Sequence, residues 1–99
     1  MTSIEKLDKA FESRVRLGIM SVLTGADQSD FNTLKSMLGV SDGNLASHIK
    51  ALEELGYIET LKQFIGRKPN TSYTITEAGK KAFNAHINAL TSLLGIKSE

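Results

Sequence analysis

Serine, histidine and aspartate, the residue types of hydrolytic triads, all occur in this 99-residue chain. No glycine pattern frames any serine as a nucleophile elbow. Neither a phosphate-cradling glycine-rich loop nor a paired-carboxylate motif is present, so no enzyme and no cofactor are expected. Cysteine is absent, which removes disulfides, zinc fingers and thiol catalysis. The two histidines, His48 and His86, lie far apart without clustered acids, a poor metal set. What remains is hydrogen-bonding chemistry. Ser41, Asn44, Ser47 and His48 fall close together, beside Gly43 and Lys50, and an Arg67–Lys68 pair follows. Asparagine bonds adenine bidentately, serine donates or accepts, and histidine bonds a base edge or a phosphate. A cationic pair suits phosphate.

Chemistry of this kind needs a rigid presenter, and the spacing of apolar residues supplies one. Leu45, Ile49 and Leu52 recur at 4 and 3, with Leu55 three further on, so residues 42–55 read as an amphipathic helix. Ser41 is its N-cap, Asp42 suits the positive end of its dipole, and Gly56 ends it. At about 100° per residue, Gly43, Ser47, Ala51 and Glu54 point away from the buried direction. Asn44 and His48 lie on one flank and Lys50 on the other. Glu53 and Glu54 crowd the C-terminal half and would repel phosphate, so only the N-terminal end suits a polyanion. Before this helix, Asn32 is a plausible N-cap for Leu34, Met37 and Leu38, and Gly39 stops that segment. Two helices joined by Gly39-Val40-Ser41 must cross steeply, which is the helix-turn-helix arrangement.

The flanks are also legible. Ile4, Leu7, Phe11, Val15, Ile19 and Val22 are spaced 3, 4, 4, 4 and 3, which predicts a short helical arm and, after a cap at Ser13, a main helix to about Thr24. Gly25 is expected to stop it, and residues 26–31 to form a polar connection. Residues 57–65 and 71–76 are rich in β-branched and aromatic types and predict two strands. The cluster 66–70 would be a five-residue turn holding the one proline, Pro69, where it breaks no ladder bond. Thr76 then caps a last helix, with Phe83, Ile87, Leu90 and Leu94 spaced 4, 3 and 4. The expected organisation is one domain over 1–99: an arm (1–12), a helix-turn-helix (32–56), a hairpin "wing" (57–76) and a C-terminal helix (77–96). The fold class is mainly α with a small β-wing.

The stretch from Ser41 to Ile58 resembles the recognition-helix signature of winged helix-turn-helix transcriptional regulators, the MarR-like and ArsR-like repressors. The run Tyr73-Thr74-Ile75-Thr76-Glu77-Ala78-Gly79 resembles the MarR-like wing and the helix start after it. Phe64-Ile65-Gly66-Arg67 and Lys68-Pro69 are similar to the wing of a small single-domain subgroup. The resemblance runs from about Phe11 to Leu94. It implies a homodimeric DNA-binding repressor or activator. Ser41, Asn44, Ser47 and His48 would face the groove, and Arg67 and Lys68 would form the wing tip. Many relatives carry arginine where this sequence has Ser47, so the commonest guanine reader is missing. In relatives the terminal helices pair across a twofold axis, which puts Ile4, Leu7, Phe11, Phe83, Ile87, Leu90 and Leu94 at a dimer interface. Relatives also bind small molecules between the dimer helices, but no residue here identifies an effector.

Composition frames these readings. Forty per cent of residues are hydrophobic and 23% charged, ordinary globular values. Net charge is only +1, so the distribution matters more than the total. Residues 60–82 hold Lys62, Arg67, Lys68, Lys80 and Lys81 against Glu77 alone, a strong local positive excess. No run approaches the roughly 20 apolar residues of a membrane span. The N-terminal stretch mixes both charge signs, unlike a signal peptide. A prokaryotic cytoplasm is the expected setting. The alternatives are plain. The alternative for Asn44 is local hydrogen bonding in the first helical turn, and charged hairpin tips serve solubility. The terminal stripes could be core, and the same fold could be a protein-interaction module without DNA affinity.

Overall fold

The computed structural model describes residues 3–95. Two short 3₁₀ turns, Ser3–Lys6 and Lys9–Phe11, precede α1 (Arg14–Ala26). Then come β1 (Gln28–Asp30), α2 (Phe31–Leu38), α3 (Asp42–Glu54), β2 (Ile58–Ile65), β3 (Lys68–Ile75) and α4 (Glu77–Leu93). Ile96, the end of the expected C-terminal helix, lies outside the described residues.

The capping residues act as their types demand. The Ser13 hydroxyl accepts from the Arg16 amide, Ser41 Oγ from Asn44 and Thr76 Oγ1 from Gly79, each satisfying an otherwise orphaned helical N–H. Gly39 closes α2 with φ of 64°. Three local expectations are corrected. The arm forms 3₁₀ turns instead of α-helix, because Asp8 caps Ala10 and the chain restarts at Ser13. Helix α1 runs through Gly25 and ends at Asp27, whose φ is +66°. Asp30, not Asn32, caps α2, its carboxylate accepting from the Thr33 amide at 2.7 Å. Two hydrogen bonds from Thr33 hold that carboxyl below its ordinary value.

The sheet has three antiparallel strands in the order β1-β3-β2, so the connection read as a plain loop contains a strand. Gln28, Ser29 and Asp30 pair with Thr74, Tyr73 and Ser72. A three-residue strand without alternating apolar residues leaves no local pattern; its partner makes it. The wing turn is also shorter than expected. Ile65 pairs with Lys68 and Phe64 with Pro69, leaving Gly66 and Arg67 as a two-residue turn. Gly66 has φ of +66° while Arg67 does not enter the positive region, the type II′ pattern that matches strand twist. In such a hairpin the closing pair exchanges hydrogen bonds and the next pair does not. Pro69 therefore sits inside β3 and still costs no ladder bond.

The core lies where the helices meet the sheet base: Ile19, Met20 and Leu23 from α1, Leu34 from α2, Leu45, Ile49 and Leu52 from α3, with Ile58, Tyr73 and Phe83. Phe11 closes one end. Its ring packs edge-on to Phe83 and His86, with centroids 5.6 and 5.2 Å away, and tilted against Tyr57. The Asp8 amide donates to His86 Nδ1 at 3.0 Å, and Tyr57 Oη donates to Asp8 Oδ2 at 2.8 Å. Burial and the neighbouring Asp8 push the Tyr57 phenol above its ordinary pKa. His86 is thus a buried hinge pin between arm and α4. Helix α4 starts hard against the residue that precedes β2: the Thr76 amide donates to the Tyr57 carbonyl, and a Cβ on Gly79 would lie 2.1 Å from that same oxygen.

Candidate nucleic-acid interface

Helix α3 turns Leu45, Ile49 and Leu52 into the core. Geometry then forces the intervening residues outward. Ser41, Gly43, Asn44, Ser47 and Lys50 are all exposed, and His48 is half-buried. The first two turns thus offer small polar side chains at the helical N-terminus, where backbone N–H groups and the dipole also favour phosphate. Ser41 Oγ accepts from Asn44 N at 3.2 Å, and its own proton stays available. Lys35 Nζ meets Asp42 Oδ1 at 2.8 Å across the turn, an exposed pair that orients more than it stabilises.

His48 is not a free side chain. Arg16 Nε–H, from the first turn of α1, donates to His48 Nδ1 at 3.0 Å. This bond requires the neutral tautomer protonated at Nε2. It fixes the ring and aims the Nε2–H away from the arginine. Arg16 was missed by reading the sequence because its partner lies 32 residues on; no local spacing could announce it. Arg14 also lines a groove at the helix-turn-helix bend with Met37, Leu38, Gly39 and Val40. The positive face therefore extends beyond the wing.

The wing carries Lys62, Arg67 and Lys68, all exposed. Among the described residues the ion pairs are Lys35–Asp42 and Lys80–Glu77, so the wing cations keep their charge for another partner. The molecule extends 53 Å along one axis against 24 and 22 Å across. At the base of the hairpin Thr60 Oγ1 donates to the Glu53 carboxylate, tying wing to α3. Burial, and after it the same acid, pushes the Tyr73 phenol above its ordinary pKa.

Residues 15–94 match the family described as the winged helix DNA-binding domain. The chain belongs to that family. A protein of Methanocaldococcus jannaschii with no assigned role is 41% identical over 85 residues, covering 86% of this chain and 92% of its own. A solved transcriptional regulator homologue from Pyrococcus horikoshii is 30% identical with a TM-score of 0.77, covering 92% of this chain and 95% of that one. The structure of reduced AbfR, a protein of Staphylococcus epidermidis, bound to DNA has a TM-score of 0.74 at 20% identity. It covers 91% of this winged helix chain and 64% of that one, a likeness of fold. The expected winged helix-turn-helix class is thereby established, with its sheet one strand larger than foreseen.

The seven residues expected at a partner interface divide. Phe11 and Phe83 are buried against each other within this winged helix chain. Leu7 and Ile87 are half-buried, and Ile4, Leu90 and Leu94 are exposed. Leu93 joins them.

Proposed function

We propose that this winged helix protein binds duplex DNA as a homodimer and regulates transcription, acting at the chromosome in the cytoplasm. The N-terminal end of α3 would enter the major groove, where Asn44, Ser47 and His48 read base edges. Arg67 and Lys68 would reach the backbone or the adjacent minor groove. The observation that carries this reading is the coincidence of two surfaces on one rigid frame. The outward face of α3 is small and polar at its N-terminal end, and the neighbouring hairpin carries cations without ion-pair partners among the described residues. Exposed Ile4, Leu90, Leu93 and Leu94 near the end of α4 support the second copy. Two recognition helices about 34–36 Å apart would then read a pseudo-palindrome in successive major grooves.

Fluorescence anisotropy tests it. The duplex upstream of the protein's own gene is compared with a scrambled duplex at two salt concentrations. Tighter, salt-sensitive binding to the native fragment is expected. Equal affinity for both would reduce the protein to an unspecific binder. No binding at low salt would leave a protein-interaction module built on the same fold.

A further inference from the structure

The tip of the wing is apolar on both faces. Phe64 is 75% exposed and Ile65 67% exposed, the two most exposed large hydrophobics of the sheet. They alternate along β2, so Phe64 lies on one face beside its cross-strand neighbour Pro69, and Ile65 on the other beside Lys68. Ile65 borders an open groove that Val22 and Met37 also line, whereas Phe64, on the other face, is the more exposed of the two. Packing against the body could explain one apolar face of a hairpin but not both. Solubility explains the cations Arg67 and Lys68 but not a phenylalanine and an isoleucine next to them.

We propose that this tip is a wedge. Phe64, backed by Pro69, enters the DNA minor groove and partly unstacks a base step, while Arg67 and Lys68 hold the flanking phosphates, so that binding bends the duplex. The inference rests on the DNA-binding reading above. Three features support the occupant. The cations frame the apolar pair, as a polyanion with an apolar interior requires. The tip continues the surface that begins at α3, through the Thr60–Glu53 contact. The dimensions also fit a wedge better than a passive contact. The minor groove is about 6 Å wide, and two strands lie about 4.8 Å apart before side chains are added. A ribbon carrying Phe64 on one face and Ile65 on the other must pry the groove open to enter. Apolar wedges of these residue types kink DNA toward the major groove. The gain is the burial of side chains now left in water. The two-residue type II′ turn and Pro69 keep the tip narrow and stiff.

The test uses a mixed-sequence duplex of about 30 base pairs, with dyes at its ends and 2-aminopurine at central TA and CA steps, which unstack most easily. Wild-type protein should shorten the end-to-end distance and raise the 2-aminopurine fluorescence. Phe64→Ala should abolish both signals and weaken binding roughly tenfold, the modest end for a stacked aromatic. Its salt slope should stay unchanged, because an apolar contact releases no counterions. Phe64→Trp should restore bending. Arg67→Ala with Lys68→Ala should instead flatten the salt slope by about 2. Phe64 is exposed, and circular dichroism would confirm that the variants fold. If wild-type protein binds without bending or unstacking, or if Phe64→Ala bends DNA as wild type does, the wedge is wrong and the DNA-binding reading stands. If Phe64→Ala changes the sedimentation of the free protein instead, the tip is a protein contact. If wild-type protein does not bind the duplex at low salt, both readings fail together.

Discussion

At the scale of single residues, the proposed function divides the surface between groups that read and groups that hold. Asn44→Ala should relax sequence preference while leaving the salt slope in place, since it removes a base contact and no charge. Arg67→Ala and Lys68→Ala should weaken binding to native and scrambled duplexes alike. Anisotropy titrations on both sequences at several salt concentrations separate the two outcomes, and a uniform loss from every variant would contradict the division. Arg16 belongs to neither group by itself. It is a positioning residue, because its Nε–H fixes the His48 ring. Arg16→Ala and His48→Ala should therefore be non-additive in a double-mutant cycle on binding to the native fragment, with a coupling of about 1 kcal/mol. Arg16→Lys should not rescue it, since an ammonium lacks the planar fork that presents Nε–H at a fixed angle. Additive losses would mean that the two side chains act separately.

At the scale of elements, what could be read in advance depended on whether the signal was local. Helix α3 announced its cap, its buried stripe and its stop between Ser41 and Gly56, and the polar face followed from those. The wing strands were legible in composition, but the turn was not. Residues 66–70 look like one flexible cluster, whereas the type II′ geometry needs only Gly66 and Arg67 and lets Pro69 fall in a non-hydrogen-bonded pair. Strand β1 was invisible because its order comes from pairing with Tyr73 and its neighbours. The Phe11 and Phe83 stripes were visible as helical spacing, but spacing cannot say that they fill each other's space. Two predictions follow from contacts between elements. Gly79→Ala should destabilise the fold by about 1–3 kcal/mol in chemical denaturation, because the added methyl meets the Tyr57 carbonyl, backbone that cannot swing away. Asp30→Ala should cost about 1 kcal/mol near neutral pH through loss of the α2 cap. The native carboxyl lies below its ordinary value of 3.8, so its contribution is whole above that value and fades as pH falls through the native pKa. The difference between Asp30→Ala and wild type should thus shrink in acid; a difference constant down to pH 2 would exclude the carboxylate as its source.

At the scale of the whole molecule, affinity should depend on how two domains are linked more than on any one contact. A single winged helix of this size offers one α3 and one wing, and the outward face of α3 has Asn44, Ser47 and His48 but no arginine. Joining two copies makes the second half-site an intramolecular event, a gain on the order of 10²- to 10⁴-fold without new contacts. In the proposed homodimer, the joint is assigned to the end of α4. Leu90, Leu93 and Leu94 are exposed there, with Ile4 also exposed on the arm that packs on α4. The aromatic cluster beneath them is already satisfied within the protomer. Leu90→Glu with Leu94→Glu should therefore spare the fold, since neither side chain is in the core. In sedimentation the variant should run as a monomer where wild type runs as a dimer. Its affinity for a palindromic fragment should fall at least a hundredfold, while affinity for an isolated half-site changes little. The half-site control matters because two new acids turn the net charge from +1 to negative, and a purely electrostatic effect would weaken both fragments equally. A wild-type monomer at micromolar concentration, or a double variant that still dimerises, would move the joint away from this helix end.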